Sequence, residues 1–505
     1  MEVTALTRMV AGRLEGAAPP KGASATTITG ITHNSAWVQP GYAFVAVRGH
    51  VRDGHDFVAD ALARGAALIV GEGWRGSAGL PVPYLRVANA RHALGDLAAA
   101  LHGHPSHKLT TVGVTGTKGK TTTTWLVRHL LRSGGHRVGM LSTLGYKLGD
   151  DVLHQFPAHF TTPEAPQVQE TLARMVDDRC THAAIEASSE ALAQSRLRAT
   201  RFDVAIWTNL QPEHLNFHGD MEGYFQAKRM LIDGSRLAVL NTADPWGMRL
   251  ADHPHVTYGH AENETGDEAM APDWAATAVH EDGGMLRFTV QSPVGDFPVT
   301  VPLIGRYNIA NILAALAAAS RLGVDVADLQ AGLAEFPGVP GRMQVLAESP
   351  ARVVLDFAHT PDSLQVALES LRQTTRARLI AVLGSAGGPR DPGKRAPLGA
   401  VAATLADLAI FTEEDCRDTP IYDILNEMQR GAMEAGRHNT LLIPDRLEAI
   451  RCALADAAEG DTVVFCGKAG EITLERADEV LPWDEETIVR REMRLKDEGR
   501  GMKDE

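Results

Sequence analysis

The stretch 112–124, VGVTGTKGKTTTT, combines glycines, lysines and threonines in an order that suits phosphate binding. Glycine permits backbone angles that side chains forbid, so successive N–H groups of such a loop can point at one anion. The helix expected after the loop adds the positive end of its dipole. Lys120 would place a charge on the terminal phosphates, and the hydroxyl of Thr121 or Thr122 is a natural Mg²⁺ ligand. The stretch therefore predicts a nucleotide triphosphate site.

The loop departs from the strict Gly-x-x-x-x-Gly-Lys-Thr pattern, because Val114 stands where the first glycine belongs. It is either a chance glycine turn or a shorter variant of the phosphate loop. A predicted strand at 109–114 and a predicted amphipathic helix at 121–132 flank it, which is the context that a phosphate loop needs. We therefore favour the variant phosphate loop.

Two other predicted strands end in polar residues that would serve the same site. Glu186 closes an apolar strand, Asn209 and His214 follow the next strand, and Lys228 lies on the helix after that. Magnesium prefers oxygen ligands and works beside phosphates, so a strand-end glutamate behind the loop suits a metal-bridging role. Each residue also has an ordinary alternative: Glu186 as a helix cap, His214 as a turn histidine and Lys228 as an exposed lysine.

A second glycine-rich loop, 384–395, follows another predicted strand and ends in cations. It would seat a carboxylate or a phosphate, or it would be a solvated loop whose charges lie at a helix start. Both interpretations stay open at this point.

Short apolar strands alternate with helical segments along the chain, which predicts an α/β fold with mostly parallel sheets. Ligands of such sheets bind at the carboxyl ends of the strands. A proline-interrupted polar stretch at 103–107 and a turn-rich stretch at 337–342 are the expected boundaries. We therefore predict three domains, 1–107, 108–335 and 336–505.

The composition excludes several classes of protein. The chain has 505 residues, 44% of them hydrophobic, and no uninterrupted apolar run of the ~18 residues that a membrane span needs. It begins without a basic segment followed by an apolar run, so we expect a cytoplasmic protein without membrane insertion. The four cysteines lack Cys-x-x-Cys spacing, which argues against a disulfide framework or a zinc knuckle. The net charge of −14 argues against nucleic acid as a partner.

Several short motifs accompany the glycine loop in a fixed order along nearly the whole chain. They are TGTKGKTT from Thr115, EASS from Glu186, TNLxxEHLxxHG from Thr208, AK ending at Lys228, GxYNxxN from Gly305, GVPGR from Gly338 and DFAHTPDSL from Asp356. This set resembles the Mur ligases of peptidoglycan synthesis, and within them the MurE type. That type adds the third amino acid to UDP-N-acetylmuramoyl-L-alanyl-D-glutamate. Such a set is far more specific than any single glycine loop.

The resemblance implies a three-domain Mur ligase architecture. It comprises a UDP-binding N-terminal domain, a central P-loop ATPase domain with a parallel sheet, and a C-terminal Rossmann-like domain. The implied enzyme is an ATP-dependent acid–amino acid ligase, in which ATP phosphorylates the γ-carboxylate of the D-glutamate and an incoming amine displaces phosphate. Mg²⁺ would offset the repulsion between phosphate and carboxylate. The implied partners are small molecules, namely UDP-MurNAc-dipeptide, ATP and a diamino acid, and we expect a monomer.

Matched position by position, the resemblance implies roles for individual residues. The ATP-binding positions are Thr115, Gly116, Thr117, Lys118, Gly119, Lys120, Thr121, Thr122, Asn308, Asn311, Arg342, Asp356 and His359. The catalytic positions are Lys120, Glu186, His214 and Lys228. The metal positions are Thr121, Glu186, His214 and Lys228, the last as a carbamate. The positions for the UDP-linked substrate are Ser35, His50, Thr161, Thr162, Ser188, Gln194 and Arg196.

The amino-acid positions hold the most consequential departure from the family pattern. They are Arg390, Glu414, Asp415, Cys416, Arg417, Gly467 and Glu471. The letters EDCR at 414–417 stand where diaminopimelate-adding members have Asp-Asn-Pro-Arg. Arg417 would pair bidentately with a distal carboxylate, whereas the extra carboxylate of Asp415 would suit a terminal ammonium. We therefore expect a diamino acid, with meso-diaminopimelate as the first choice and L-lysine or L-ornithine as alternatives.

Three smaller departures concern substrate and metal contacts. Ala36 stands after Ser35 where an arginine is usual, which puts one uridine contact in doubt. Glu190 replaces the histidine that commonly follows the paired serines, and Glu213 replaces the aspartate before His214.

Two rival functions remain. One is a related ligase, such as a folylpolyglutamate synthase or a cyanophycin-type enzyme. The other is a nucleotide-binding regulatory protein without ligase chemistry. The first domain and the Arg417 region argue against the related ligase.

Overall fold

The computed structural model describes residues 1–10, 12–15, 27–49, 52–73, 79–156, 160–260, 271–282, 284–388 and 392–501. Helices and strands alternate along the chain, as the sequence predicts. The helices are α1 (Val3–Met9), α2 (Val58–Ala63), α3 (Ala90–Leu101), α4 (Lys120–Ser133), α5 (Ala165–Asp177), α6 (Ser189–Ala193), α7 (Leu215–His218), α8 (Met221–Asp233), α9 (Pro245–Met248), α10 (Asn308–Arg321), α11 (Val326–Ala334), α12 (Pro361–Thr374), α13 (Arg395–Leu405), α14 (Ile421–Glu434), α15 (Arg446–Asp456) and α16 (Glu485–Gly501).

The strands form three larger sheets and one small hairpin within this part of the chain. They are β1 (Arg13–Glu15), β2 (Gly30–Thr32), β3 (Tyr42–Val45), β4 (Leu68–Gly71), β5 (Tyr84–Arg86), β6 (Thr110–Thr115), β7 (Val138–Ser142), β8 (Gly145–Lys147), β9 (His182–Glu186), β10 (Phe202–Trp207), β11 (Ser235–Asn241), β12 (His255–His260), β13 (Trp274–Asp282), β14 (Met285–Gln291), β15 (Phe297–Val301), β16 (Gln344–Ala347), β17 (Arg352–Asp356), β18 (Leu379–Leu383), β19 (Leu408–Phe411), β20 (Thr440–Leu442), β21 (Thr462–Cys466), β22 (Thr473–Glu475) and β23 (Val480–Pro482). Short 3-10 helices lie at Ser35–Trp37, Gly54–Phe57, Pro105–Lys108 and Pro392–Lys394.

The chain divides into two compact units. Unit 1 comprises Met1–Ala276, Val290–Asp296 and Ala310–Gly332, and unit 2 comprises Thr277–Thr289, Phe297–Ile309 and Leu333–Glu505. The three sheets draw their strands from the three stretches that the sequence analysis predicts as domains. The boundaries at residues 107 and 335 stay predictions.

Unit 1 holds the first sheet, of order β1-β5-β4-β3-β2, in which β2 to β5 run parallel and β1 pairs antiparallel with β5. It also holds six parallel strands of the second sheet, in the order β7-β9-β6-β10-β11-β12. β6 and β9 are almost wholly buried, as expected for parallel strands that are covered on both faces. The chain order reverses around β6, because β9 lies on one side of it and β10 on the other. The loops after these three strands therefore meet at one edge, where ligands of open α/β sheets bind.

Unit 2 holds the third sheet, of order β16-β17-β21-β18-β19-β20, parallel except for β16 at the edge. One apolar cluster joins it to α12, α13 and α14 through Leu364, Leu398 and Ile424. Another joins it to α15 and α16 through Ile450 and Val489. Helices on both faces make this a doubly wound, Rossmann-like arrangement, as the sequence predicts. Across the described residues, no helix has both the length and the apolar character needed to cross a membrane.

A buried ion pair joins the start of α15 to the start of α16. The side chains of Arg446 and Glu485 are 0% and 1% exposed, and Arg446 Nη2 lies 2.6 Å from Glu485 Oε1. Arg446 also donates to the carbonyls of Glu413 at 3.0 Å and Cys466 at 2.8 Å. One guanidinium therefore holds the loops after β19 and β21 against both helices.

We predict that Arg446→Met lowers the free energy of unfolding of unit 2 by about 3–5 kcal/mol, because it leaves the Glu485 carboxylate buried without its cation. Urea denaturation followed by circular dichroism measures this change. Arg430→Met is the matched control, since Arg430 and Glu434 form an exposed pair at 3.8 Å. Its cost should be at most ~1 kcal/mol. Equal costs for the two variants would contradict the prediction.

Candidate active site

Two glycines shape the phosphate loop between β6 and α4. β6 ends at Thr115, and Gly116 and Gly119 have φ values of +146° and +83°. A Cβ at Gly116 would lie 1.8 Å from Thr208 Oγ1, and a Cβ at Gly119 would lie 2.3 Å from Asn311 Oδ1. Both the backbone angles and the close approaches therefore require glycine at these positions.

The loop after β10 supports the phosphate loop from behind. Asn209 Oδ1 accepts the N–H of Lys118 at 2.9 Å, and the carbonyl of Asn209 accepts the N–H of Thr117 at 2.8 Å. Thr208 Oγ1 donates to the carbonyl of Lys118 at 2.7 Å. Two amides of the predicted phosphate cradle are therefore used within the protein. The first turn of α4 presents its N–H groups at this end of the loop, as helix starts do.

Two lysines converge on the carbonyl of Gly116. Lys228 Nζ donates to this oxygen at 2.6 Å and Lys120 Nζ at 3.1 Å, and Lys120 also donates to the carbonyl of Thr117 at 2.9 Å. Lys228 lies on α8 and is only 1% exposed. Burial, followed by the charge of Lys120, lowers the pKa of Lys228 well below its ordinary value, against two nearby carboxylates that raise it. The alternative interpretation of Lys228 as an exposed lysine is therefore wrong, because its helix packs this face against the loop.

Glu186 closes β9 beside the loop and is 1% exposed. Its Oε1 accepts the hydroxyls of Thr121 and Thr143, both at 3.0 Å, and its Oε2 accepts the N–H of Thr143 at 2.9 Å. The motifs did not indicate Thr143, although it follows the end of β7 as a polar residue. The Glu186 carboxylate and the Thr121 hydroxyl place hard oxygen donors at the loop, which is the ligand chemistry that Mg²⁺ prefers.

His214 precedes α7 with φ of +56° in the left-handed region. Its side chain is half exposed, with Nδ1 3.8 Å from Glu190 Oε1. Burial lowers the pKa of His214, although Glu213 and Glu190 act against this. Among the side chains that the structure describes, no three of His, Cys, Asp or Glu lie close enough to hold a metal ion together. The residues present fit Mg²⁺ through the oxygens of Glu186 and its hydroxyl partner rather than through a ready cluster.

The positions expected to hold the muramoyl dipeptide form one hydrogen-bonded group. Thr162 Oγ1 donates to the carbonyl of Glu186 at 2.7 Å and accepts the N–H of Ser188 at 3.1 Å. Arg196 donates to the carbonyl of Thr162 and to Gln194 Oε1, each at 3.0 Å. The structure thus brings these residues beside the end of β9.

The remaining positions for the UDP-linked substrate are Thr161, Ser35 and His50. Thr161 Oγ1 lies 3.2 Å from Thr143 Oγ1, so Thr161 also reaches a partner of the strand-end glutamate. Ser35 begins the 3-10 helix that follows β2 in the first sheet. His50 lies outside the described residues, as does Arg390.

Unit 2 carries most of the other nucleotide positions. Asp356 ends β17, and its Oδ2 and Oδ1 accept the N–H groups of Met343 at 2.7 Å and Ala358 at 2.8 Å. Burial raises the pKa of Asp356, against Arg342 and these two N–H groups. The guanidinium of Arg342 lies over the ring of Phe357, 4.3 Å from its centre.

Three further positions are expected to bind the nucleotide, Asn308 and His359 in unit 2 and Asn311 in unit 1. In unit 2, Asn308 Nδ2 donates to the carbonyl of Ile304 at 2.8 Å, and Lys394 donates to the carbonyl of His359 at 3.1 Å. Asn311 belongs to unit 1, where its Oδ1 accepts the hydroxyl of Thr123 in α4 at 3.2 Å.

Four of the candidate amino-acid positions, Glu414 to Arg417, lie together in the loop after β19. Arg417 Nε lies 2.7 Å from Glu475 Oε2, and its Nη2 lies 3.7 Å from Asp415 Oδ2. Cys416 is buried, and burial raises the pKa of its thiol. The guanidinium expected to meet a distal carboxylate is therefore already paired within the chain.

Glu414 differs from the acidic residues beside it. It is 6% exposed, and its Oε2 has no hydrogen-bond partner. Burial raises the pKa of Glu414 to about 7, against the nearby cation of Lys394. A Cβ at Gly467 would lie 2.8 Å from this oxygen, so the glycine leaves the space beside it open.

The second glycine-rich loop packs against these residues. A Cβ at Gly384 would lie 2.7 Å from the carbonyl of Thr412, and a Cβ at Gly387 would lie 1.8 Å from that of Cys416. Ser385 is fully buried, and its hydroxyl has no hydrogen-bond partner. The interpretation of 384–387 as a solvated loop is therefore wrong, because its glycines let it approach the neighbouring backbone.

Comparisons with known proteins agree with the order of these sites. Residues 27–102 match the Mur ligase family, catalytic domain; residues 114–319 match the Mur ligase middle domain; and residues 341–469 match the Mur ligase, glutamate ligase domain. A UDP-N-acetylmuramyl-tripeptide synthetase of Deinococcus radiodurans is 57% identical over 91% of this chain and 93% of that protein. A UDP-N-acetylmuramoyl-L-alanyl-D-glutamate–2,6-diaminopimelate ligase of Geobacillus kaustophilus is 39% identical over 92% and 94%.

A solved UDP-N-acetylmuramoyl-L-alanyl-D-glutamate–2,6-diaminopimelate ligase has a similar fold, with a TM-score of 0.65 and 29% identity. The match covers 93% of this chain and 95% of that one. The fold and the phosphate loop define an ATP-dependent ligase that forms amide bonds. The chain belongs to the Mur ligase family. The predicted fold class, α/β with the three-domain architecture of these ligases, is confirmed.

We predict that Lys120→Ala lowers the turnover number by about 10²–10³-fold, because it removes the cation that the sequence predicts for the terminal phosphates. ATP-dependent phosphate release measures this. Lys108→Ala is the control, since Lys108 is exposed at the end of a 3-10 helix away from the loop. Near-normal activity of Lys120→Ala would rule out the site.

Proposed function

We propose that this chain joins a diamino acid to UDP-N-acetylmuramoyl-L-alanyl-D-glutamate, with meso-diaminopimelate as the first candidate. The observation that supports this proposal is the position of the buried Glu186 carboxylate, which accepts a hydrogen bond from the hydroxyl of Thr121 beside the phosphate loop. The backbone carbonyl of Glu186 accepts a hydrogen bond from the hydroxyl of Thr162, which is one of the residues expected to contact the dipeptide. Phosphate and carboxylate substrates would therefore meet at one strand end.

The chemistry follows from the difficulty of making an amide from a carboxylate. A carboxylate is a poor electrophile, whereas an acyl phosphate has a good leaving group. Lys120 and the helix start of α4 would hold the transferred phosphoryl group while the γ-carboxylate oxygen attacks it and ADP leaves. The neutral amine of the amino acid then attacks the acyl carbon, the C–O bond to phosphate breaks, and the amine proton is lost.

The oxygens of Glu186 and Thr121 would hold Mg²⁺, with His214 and a carbamate on Lys228 as further ligands. The ion would supply positive charge between the phosphate and the carboxylate, whose repulsion otherwise opposes their approach. Burial of Glu186 keeps water from competing for these oxygens.

The acceptor site supports a diamino acid. The buried Oε2 of Glu414 lacks a hydrogen-bond partner, and an ammonium on the distal end of the substrate would supply one. meso-Diaminopimelate, L-lysine and L-ornithine all carry that ammonium. Lys468 Nζ lies 2.8 Å from Asp415 Oδ1. Because Asp415 already has this cation as a partner, its carboxylate is weaker support for lysine or ornithine than the sequence alone suggests.

The same proposal includes the setting in which the enzyme works. We place the domain boundaries at 107 and 335, the reaction in the cytoplasm where ATP is available, and a monomer as the working form. Small molecules are its partners, and nucleic acid is not among them.

The first test is ATP-dependent phosphate release with Mg²⁺ and UDP-N-acetylmuramoyl-L-alanyl-D-glutamate, offering each of the three diamino acids separately and weighing the products by mass spectrometry. We expect a UDP-MurNAc-tripeptide, formed fastest from meso-diaminopimelate, and none from L-alanine, which lacks a distal ammonium. Extension of a folate with no product from the UDP-sugar would favour the folylpolyglutamate synthase alternative. Steady ATP hydrolysis without any acceptor would favour the regulatory NTPase.

The second part of the proposal concerns Lys228 as a carbamate. An uncharged amine is the form that adds CO₂, releasing one proton and leaving an anionic carbamate. Full burial beside Lys120 lowers the pKa of Lys228 and so favours the uncharged form. The carbamate would turn a cation into an anion, which is the charge that a ligand of Mg²⁺ needs.

We therefore predict that Lys228→Ala loses about 10²–10³-fold in turnover number, and that formate or acetate restores part of it by replacing the lost carboxylate. Arg229→Ala is the matched control on the same helix, because Arg229 pairs only with Asp233 at 3.1 Å among the contacts described. A fully active Lys228→Ala would refute the role.

A further inference from the structure

Lys468 is a buried cation that the motif match left without a role. Its side chain is 0% exposed. Its Nζ lies 2.8 Å from Asp415 Oδ1 and donates also to Glu471 Oε2. These two carboxylates belong to different loops, one after β19 and the other after β21. The single ammonium therefore bridges the two segments that hold the candidate amino-acid positions.

The bridge also fixes the shape of the loop after β19. Asp415 Oδ1 accepts the N–H of Glu475 at 2.9 Å as well as the ammonium of Lys468. Glu475 in turn lies 2.7 Å from Arg417 Nε. Displacement of the Asp415 carboxylate would therefore move the guanidinium of Arg417 too.

The bridge sets the charge that a substrate would meet. The cation of Lys468 offsets Asp415 and Glu471, and the cation of Arg476 offsets Glu413 at 2.7 Å. Glu414 is left as the buried carboxylate of this group whose Oε2 has no hydrogen-bond partner. Loss of the Lys468 charge would leave the carboxylates of Asp415 and Glu471, whose side chains are 11% and 28% exposed, to repel each other without the cation between them.

We propose that Lys468 is a positioning residue that sets specificity for the diamino acid, because its ammonium holds Asp415 and Glu471 at the spacing the substrate requires. It acts through these carboxylates rather than on the reacting atoms. The proposal rests on the proposed function, since it concerns the acceptor site of the same ligase.

The test is a steady-state comparison of Lys468→Met with the wild-type enzyme, using meso-diaminopimelate, or L-lysine or L-ornithine where the wild-type enzyme uses those. Methionine keeps most of the length of the side chain and removes the charge. We expect the KM for the amino acid to rise at least ~10-fold, because the two carboxylates move apart when one ammonium no longer holds both. The KM values for ATP and for the UDP-linked substrate should change less than ~2-fold. Arg430→Met, an exposed cation of unit 2, should leave all three KM values unchanged.

A double variant separates positioning from general support of the fold. Asp415→Asn removes one of the two carboxylates that Lys468 neutralises. In the background of Lys468→Met it should therefore lower the KM for the amino acid, whereas independent damage would raise it further. If Lys468→Met does not fold, Lys468→Gln replaces it, because an amide still donates to a carboxylate.

Each outcome bears on the proposal. An unchanged KM for the amino acid in a folded variant, or an equal rise in all three KM values, would overturn it. Failure of both variants to fold would also count against it, since Lys468 would then serve the fold alone. If the wild-type enzyme makes no tripeptide, the proposed function itself fails; if it makes tripeptide while the variants keep the wild-type KM, only this inference fails.

Discussion

The carbonyl oxygen of Gly116 is the point on which the central site depends. The backbone of Gly116 adopts a φ of +146°, and Thr208 lies too close to leave room for a side chain there. This turn directs one oxygen at both Lys120 and Lys228, at 3.1 Å and 2.6 Å. Burial favours the uncharged amine of Lys228 beside the cation of Lys120, so Lys120 is left to meet a phosphate and Lys228 can take up CO₂ as a carbamate. The glycine therefore positions the charges as well as the loop.

Buried charges also fix the loops of unit 2, where cations hold carboxylates in place. Several carboxylates crowd the loop after β19, and buried cations from other segments offset them. Arg446 holds Glu485, and Lys468 holds Asp415 and Glu471. Breaking the fully buried Arg446–Glu485 pair would cost several kcal/mol, and Lys468 ties the two loops to each other, so the loops can hold only a few arrangements. A ligase that must admit one amino acid and exclude others benefits from loops held in this way.

Local patterns in the sequence predicted the strands, the helices and the phosphate loop, because glycine spacing and apolar periodicity act over a few residues. The helix predicted at 121–132 forms as α4, and Glu186 does end a strand beside the loop. Contacts between distant segments left no such pattern. Thr143 and Lys468 reach the sites only through the pairing of strands, and each looks ordinary in its own stretch.

The amide N–H groups of the phosphate loop also show that local sequence patterns do not predict contacts with distant segments. Glycine spacing predicted N–H groups directed at an anion, yet Asn209, about 90 positions away in sequence, accepts two of them. Likewise the sequence left a solvated loop at 384–387 open, because glycine and serine are common in surface turns, whereas the structure packs this loop against Cys416. Polar composition alone does not separate an exposed turn from a close backbone contact.

The account rests on the claim that ATP activates a carboxylate at the end of β9, and isotope transfer tests this most directly. The γ-carboxylate of UDP-N-acetylmuramoyl-L-alanyl-D-glutamate would carry ¹⁸O in both oxygens, and mass spectrometry would follow the label through one turnover with ATP and the preferred diamino acid. The account predicts that one labelled oxygen leaves in inorganic phosphate and the other stays in the new amide. Unlabelled phosphate formed together with the tripeptide would contradict an acyl phosphate.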